Sequence, residues 1–108
     1  MQSDAPYAVQ SVEEVFRSDE LRVRRFTLAP GESIPWHLHP STHDDYYVLA
    51  GRLTIEQREP EERIVLDVGS AYRIAAGRPH HNANAGDASC VFLLIQGPGP
   101  STFRKLDA

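Results

Sequence analysis

The feature that most constrains the fold is a succession of short strand-like runs separated by glycine- and proline-rich turns. Runs of β-branched, aromatic and aliphatic residues recur, and turn residues interrupt them about every 8–12 positions. The predicted strands are 21–28, 46–49, 52–57, 64–68, 71–75, 80–84 and 90–96. Helical periodicity is almost absent, so the sequence predicts an all-β sandwich or barrel.

The two ends of the chain are less clearly patterned. Residues 1–10 follow no period, and we expect 1–20 to form an N-terminal arm. Ser11 and Glu14 have the spacing of a helix capping box, although the residues that follow fit an edge strand equally well. At the other end, we expect the apolar side chains of Phe103 and Leu106 to dock on the barrel or on a partner.

Length and composition narrow the classes of protein. A chain of 108 residues indicates one domain over 1–108. Its net charge of −4 gives no general attraction to nucleic acid or to anionic membranes. No apolar stretch approaches the roughly 20 residues of a membrane span, and the first residues lack the features of a signal peptide. The single cysteine, Cys90, cannot form an intrachain disulfide, and we expect a cytoplasmic protein.

The five histidines lie in two tight groups, which scattered structural histidines would not do. The groups are His37, His39 and His43, followed by His80 and His81. Residues two apart on a strand share a face, so His37 and His39 point into one space. Imidazole is the commonest metal ligand, and a mixed nitrogen and oxygen set suits iron, manganese, nickel, copper or zinc. The pattern predicts a divalent transition-metal site completed by a histidine from a distant strand and one carboxylate.

Two segments resemble the motifs of the cupin family. The family patterns are G-x5-H-x-H-x3,4-E-x6-G and G-x5-P-x-G-x2-H-x3-N. This chain reads GESIPWHLHPSTHDDYYVLAG over 31–51 and GSAYRIAAGRPHHNAN over 69–84. The motifs stand in the family's order, are joined by strand-like sequence and together span about half of the chain.

The resemblance implies a double-stranded β-helix, which is a jelly-roll β-barrel, with a metal inside its mouth. Matched position by position, His37, His39 and His80 correspond to the family's histidine ligands, and Asp44 stands where the family has a ligating glutamate. Asp44 is one methylene shorter, so it would reach the metal directly, through water, or not at all. Ala75 replaces the usual proline of the second motif, which loosens a turn without touching the chemistry.

Strand alternation tests the choice between the neighbouring candidates for the fourth ligand. If Asp44 faces inward, Tyr46 does too, and His43 faces out. A slip of one residue in the preceding turn would exchange His43 for Asp44, and the spacing favours Asp44. In the second motif, an inward His80 places His81 on the opposite face.

Three functions fit these residues. The first is a metal-dependent enzyme of dioxygenase, isomerase or lyase type acting on a small organic molecule. Isomerase or lyase chemistry needs a general base, and Asp44, when not ligating, and Tyr46 are the candidate catalytic residues. The alternatives are a non-catalytic barrel that binds a small ligand or metal, and a metal-free, epimerase-like protein that uses a histidine with a carboxylate partner.

Some other positions carry open alternatives. Arg24 either supplies a cation to the pocket for an acidic substrate or lies on a solvated strand face. Gln96 either lines the pocket or ends the buried strand. Trp36 and Leu38 lie opposite the histidines in strand parity, and as exposed apolar residues they predict a homodimer.

Overall fold

The structure, a computed structural model, describes residues 7–107. These residues contain ten β-strands and no helix. The strands are β1 (Ser11–Arg17), β2 (Arg22–Leu28), β3 (Ser33–Leu38), β4 (His43–Ala50), β5 (Arg52–Gln57), β6 (Glu62–Asp67), β7 (Ala71–Ile74), β8 (His80–Ala83), β9 (Cys90–Gly97) and β10 (Arg104–Lys105). In these described residues, no helix is long and apolar enough to cross a membrane.

The strands form two antiparallel five-stranded sheets that face each other. Their orders are β1-β2-β9-β4-β7 and β10-β3-β8-β5-β6. Strands that are neighbours in the sheet are mostly distant in the chain, which is the arrangement of a jelly roll. The predicted all-β jelly-roll fold is confirmed.

The N-terminal segment resolves the choice between a helix and an edge strand. Ser11–Arg17 forms β1, which pairs with the open edge of β2. Seven residues are too few for a stable helix in isolation, whereas an adjacent strand supplies hydrogen-bond partners at once. Of the predicted arm over 1–20, residues 1–6 lie outside the described residues.

Side chains alternate between the interior and the outer face most regularly on β9. Every second residue of β9, beginning at Cys90, is buried, and the residues between are half-exposed. The buried apolar side chains meet in one core, where the rings of Phe26 and Phe92 stack with centroids 5.2 Å apart. Cys90 belongs to this core, and burial raises the pKa of its thiol to about 11.

The inward-facing rows change from apolar to polar at the same end of the barrel. On β9 the row runs from Phe92 through Leu94 to Gln96, and on β4 it runs from Val48 to Asp44. Asp44 lies directly opposite Gln96 in the β4–β9 register. Because these registers align the polar ends, the interior is polar at the end that holds Asp44 and Gln96 and apolar at the other, and we call the polar end the polar chamber.

One glycine of the first motif is required by the fold. Gly51 joins β4 to β5 with a φ of 72°, which residues with a side chain rarely adopt. A Cβ atom at this position would also collide with the backbone carbonyl oxygen of Ser89. The glycine that ends the first motif is therefore a packing requirement of the barrel rather than part of its chemistry.

The exposed apolar surface lies elsewhere than the sequence predicted. Trp36 and Leu38 are only half-buried, but the guanidinium of Arg58 sits 3.9 Å from the centroid of the Trp36 ring, and β10 pairs alongside Leu38. The most exposed large apolar strand residues are instead on β1, where Val15 and Phe16 are 58% and 52% exposed.

Candidate metal centre

Four potential metal ligands converge in the polar chamber. His37 lies on β3, His39 directly follows that strand, Asp44 lies on β4, and His80 begins β8. One nitrogen or oxygen atom from each lies within 4.8 Å of the corresponding atoms of the others, and all four residues are at most 5% exposed. His43 is not in this group, so the structure gathers Asp44 rather than its neighbour.

Strand pairing brings the two sequence motifs together. His37 on β3 pairs directly with His80 on β8, and the register between these strands shifts between Ile34 and His37. The backbone carbonyl of His39 accepts a hydrogen bond from the N–H of Gly77 at 2.8 Å. The turn that precedes His80 is therefore tied to the segment that carries the other two histidines.

Each of the three rings has one nitrogen engaged by the backbone. Nδ1 of His37 lies 2.6 Å from the carbonyl oxygen of Pro35. Nδ1 of His39 lies 2.8 Å from the carbonyl oxygen of Thr102, and Nδ1 of His80 lies 2.8 Å from that of Arg78. A carbonyl oxygen can only accept, so Nδ1 carries the hydrogen in every ring. In a neutral ring the lone pair then lies on Nε2, which is how proteins orient metal-ligating histidines.

Asp44 faces two of these rings through acceptor atoms. Its Oδ2 lies 3.1 Å from Nε2 of His80 and 3.3 Å from Nε2 of His39. Burial alone would raise the pKa of Asp44, but the hydrogen bonds and charge of the two imidazoles outweigh it and hold that pKa below its usual value. Those hydrogen bonds require a proton on Nε2 in addition to the one on Nδ1, and where the rings are neutral a metal ion would supply the positive charge that faces the carboxylate.

A divalent transition metal fits this donor set. Burial, reinforced by the nearby His80, lowers the pKa of His37 to about 3, so this ring is neutral at physiological pH and offers its lone pair. Two ligands about 2.1 Å from one ion lie roughly 3–4 Å apart, and the distances of 3.1 and 3.3 Å from Asp44 to His80 and His39 fall in this range. Three imidazole nitrogens and one carboxylate form a mixed nitrogen and oxygen set that suits such ions.

Gln96 connects the cluster to Arg24. The side-chain amide of Gln96 donates to Oδ1 of Asp44 at 3.0 Å and to Nε2 of His39 at 3.2 Å, while its Oε1 accepts from the Arg24 guanidinium. The guanidinium can only donate, which fixes the orientation of the amide. Both side chains therefore lie at the chamber, and Arg24 is not on a solvated strand face.

Tyr46 supplies a hydroxyl to the same carboxylate oxygen of Asp44. Its O–H donates to Oδ2 of Asp44 at 3.3 Å and accepts from the amide of Asn82 at 3.0 Å. Burial, followed by the charge of Asp44, raises the pKa of Tyr46 well above its usual value. Tyr46 therefore stays protonated and acts as a donor, which favours Asp44 over Tyr46 as the proton-accepting candidate.

The C-terminal tail covers the cluster. The ring of Phe103 stacks on His37 with centroids 4.4 Å apart and meets the edge of His39 at 5.9 Å. Tyr7 packs against Phe103 from the opposite end of the chain at 5.4 Å. Sequence reasoning expected Phe103 to dock but did not assign it to the site, since nothing local marks an isolated aromatic residue as a cover.

The two remaining histidines have separate surroundings. His43 points out of the chamber, and its Nδ1 accepts a hydrogen bond from the N–H of Ala76 at 3.0 Å. It therefore supports the turn that precedes His80. His81 lies on the outer face of β8, beside the ring of Trp36 and 3.7 Å from the carboxylate of Glu56. Both positions agree with the parity expected from the sequence.

Comparison with known proteins identifies the fold family and its relatives. A cupin domain model matches residues 24–96. A Klebsiella pneumoniae protein with a double-stranded β-helix domain superposes with a TM-score of 0.80 at 22% identity, covering 99% of this chain and 90% of that one. A Thermus thermophilus protein gives 0.77 at 28% identity, covering 89% and 91%. No curated protein sequence matches the chain.

Larger enzymes contain the same fold. A solved oxalate oxidase superposes with a TM-score of 0.74 at 19% identity, covering 81% of this chain and 46% of its own. An oxalate decarboxylase gives 0.76 at 23% identity, covering 82% and 24%. At these identities the likeness concerns the fold alone.

Proposed function

Because this chain belongs to the cupin family, we propose that it is a metal-dependent enzyme acting on a small organic molecule. His37, His39, His80 and Asp44 would hold a divalent transition metal. Iron, manganese, nickel, copper and zinc all suit this set. When bound, such an ion would serve as a Lewis acid toward an oxygen of the substrate or assist chemistry with dioxygen.

The observation that carries the proposal is the hydrogen-bond pattern of the three histidines. Each ring uses Nδ1 on a backbone carbonyl, and the opposite nitrogens of His39 and His80 face the Asp44 carboxylate. Histidines placed only for packing would not all share one tautomer while two of them face one buried anion. The arrangement is instead pre-organised to receive a cation.

Groups beside the cluster can transfer protons and can bind a substrate by hydrogen bonds. Tyr46 holds a proton on a buried hydroxyl, and Asp44 can accept one when it does not ligate. Among the described residues, Oε1 of Gln57 and Oδ1 of Asn82 are buried without a partner, so both can accept hydrogen bonds from a substrate. The reaction we propose is of dioxygenase, isomerase or lyase type, and the two solved oxalate enzymes make oxalate a natural first probe.

A pair of neighbouring histidines offers a matched test of the site. Protein purified without a histidine tag should contain about one divalent metal per chain by elemental analysis. His80→Ala should lose the metal, whereas His81→Ala should keep it, because His81 lies on the outer face of the same strand. Unchanged metal content in His80→Ala, or a metal-free parent after growth with added metal salts, would contradict the proposal.

Activity is tested separately from metal content. Metal-loaded and chelator-treated protein are incubated with small organic acids, beginning with oxalate, while dioxygen consumption and product formation are followed. We expect turnover in the loaded protein and its loss on chelation. A loaded protein that binds these compounds without converting any of them would instead support a non-catalytic binding barrel.

A second candidate function has its own supporting contact. Nε2 of His80 lies 3.1 Å from the Asp44 carboxylate, which is the histidine–carboxylate pair that a metal-free, epimerase-like protein requires. Under this alternative, activity would survive chelation and would fall in Asp44→Asn. Metal content and chelator sensitivity together separate the two functions.

We also propose that the protein is a cytoplasmic homodimer. In place of Trp36 and Leu38, the supporting surface is now β1, an edge strand on which Val15 and Phe16 are exposed. A second copy would cover this strand and its apolar residues. Light scattering at micromolar concentration should give twice the mass of one chain for the parent and the mass of one chain for Phe16→Lys. A monomeric parent would refute the homodimer.

A further inference from the structure

We propose that Arg24 binds the carboxylate of a small organic acid at the mouth of the chamber. The inference rests on the proposed function and deepens it, because it names the substrate class of the same site. It assigns to Arg24 the binding of one end of the substrate, while the other end lies toward the histidine and aspartate cluster.

The position of Arg24 on β2 directs its side chain into the barrel. Phe26 and Leu28 follow it at two-residue steps and are 1% and 0% exposed, so this row forms the inner face of the strand. Arg24 occupies the same row at the end where the other rows become polar. Its guanidinium carbon lies 5.2 Å from the centroid of the Phe26 ring, over the edge of the apolar core.

Arg24 differs from its neighbours on β2 in having no acidic partner. Arg22 lies 3.0 Å from a carboxylate oxygen of Glu14, and Arg25 lies 2.8 Å from one of Glu13. Among residues 7–107, no carboxylate lies within 4.0 Å of Arg24, and its buried Nε has no hydrogen-bond partner. The Nε of this partly buried guanidinium has lost hydration that no protein group replaces. An incoming carboxylate would replace the lost hydrogen bonds to water, and guanidinium is the group that binds carboxylates in a bidentate manner.

A single side chain separates Arg24 from the candidate metal centre. Oε1 of Gln96 accepts from Arg24, and the amide nitrogen of the same residue donates to Asp44 at 3.0 Å. A carboxylate on Arg24 would therefore lie about one amide group away from the cluster. This spacing suits a short acid with a second oxygen function that reaches the centre.

The surroundings strengthen the attraction for an anion. Gln96 separates Arg24 from the carboxylate of Asp44, and a metal ion at the cluster would offset the negative charge of that carboxylate. Burial is the main cause that lowers the pKa of Arg24, which shows that its charge lies in a poorly hydrated place. An arginine remains charged there, and its attraction to a carboxylate exceeds that at the surface.

The test compares two adjacent arginines that point to opposite faces of β2. Purified parent, Arg24→Gln and Arg25→Gln are titrated with acetate, glycolate, oxalate and malonate by calorimetry. The titrations are made both after chelation and with one equivalent of redox-inert zinc. We expect the parent and Arg25→Gln to bind at least one of these anions. In Arg24→Gln the affinity should fall by at least about tenfold, the loss expected for one charge-assisted contact.

Two further measurements test whether binding depends on the charge of the ligand and on the charge at position 24. Oxamide, the neutral diamide of oxalate, should bind at least about tenfold more weakly than oxalate to the parent, and Arg24→Lys should retain part of the oxalate affinity. Arg24→Gln should still bind zinc as the parent does, so failure of the metal site and failure of the anion site are separable. Equal anion affinity in Arg24→Gln and parent, an equal loss in Arg25→Gln, or a parent that binds none of the four anions would overturn the proposal.

Discussion

Replacing Asp44 by asparagine tests the charge on which the candidate metal centre depends. Asparagine keeps the shape of the side chain and the oxygen that accepts from Gln96, but it removes the negative charge that faces His39 and His80. The adjacent Asp45 provides a matched control, since it faces outward and pairs at 2.8 Å with the exposed Arg73. Asp44→Asn and Asp45→Asn therefore make the same chemical change on opposite faces of β4.

The expected magnitude follows from linkage between metal binding and folding. Loss of an anionic ligand should weaken metal affinity at least about 100-fold, and in excess metal this removes about 2.7 kcal/mol of metal-dependent stability. For a domain of this size, such a loss lowers the melting temperature of the metal-loaded protein by about 10–20 °C. Without metal, the amide N–H can donate to Nε2 of His80, so Asp44→Asn should lie within about 1 kcal/mol of the parent.

Thermal unfolding with and without excess metal measures both quantities. The metal-induced rise in melting temperature should be largely lost in Asp44→Asn and preserved in Asp45→Asn, whose surface ion pair is worth at most about 1 kcal/mol. If Asp44→Asn kept the full metal-induced rise, Asp44 would not be a ligand. If the metal-free variant were strongly destabilised, the carboxylate would be held by protons on the imidazoles rather than prepared for a metal.

Three other perturbations test the cover, a turn and the core. Phe103→Ala removes the ring stacked on His37 and should speed removal of the metal by a chelator, followed by absorbance; an unchanged rate would mean that the ring does not control access. Gly51→Ala places a side chain at a φ of 72° against Ser89 and should lower the free energy of unfolding in urea by more than about 1 kcal/mol; an unaltered midpoint would contradict this. Cys90, fully buried and with its thiol pKa raised to about 11, should react with a thiol reagent at pH 8 only after denaturation, and rapid labelling of folded protein would contradict its place in the core.

The sequence determined most of the strands, their faces and most of the candidate ligands. Two-residue alternation is a local property, so the inward positions of His37, Asp44 and His80 follow from spacing once one residue of each strand is placed. Alternation also places His43 and His81 outside, as the structure has them. The turns could be predicted for the same reason, because glycine at positive φ is a requirement of the local backbone.

Only the tertiary structure decided what surrounds those ligands. The carbonyl that orients His39 belongs to Thr102, and the ring that covers His37 belongs to Phe103, both on the remote C-terminal tail. Arg24 reads as an ordinary strand arginine until β2 and β9 pair and bring it to Gln96. These roles depend on which strands become neighbours and on which carboxylates lie within reach. The local alternation of side chains along the sequence predicts neither. The sequence therefore determined where the candidate metal ligands point. The packing of the two sheets decided which groups orient the histidines, cover the cluster and place a positive charge beside it.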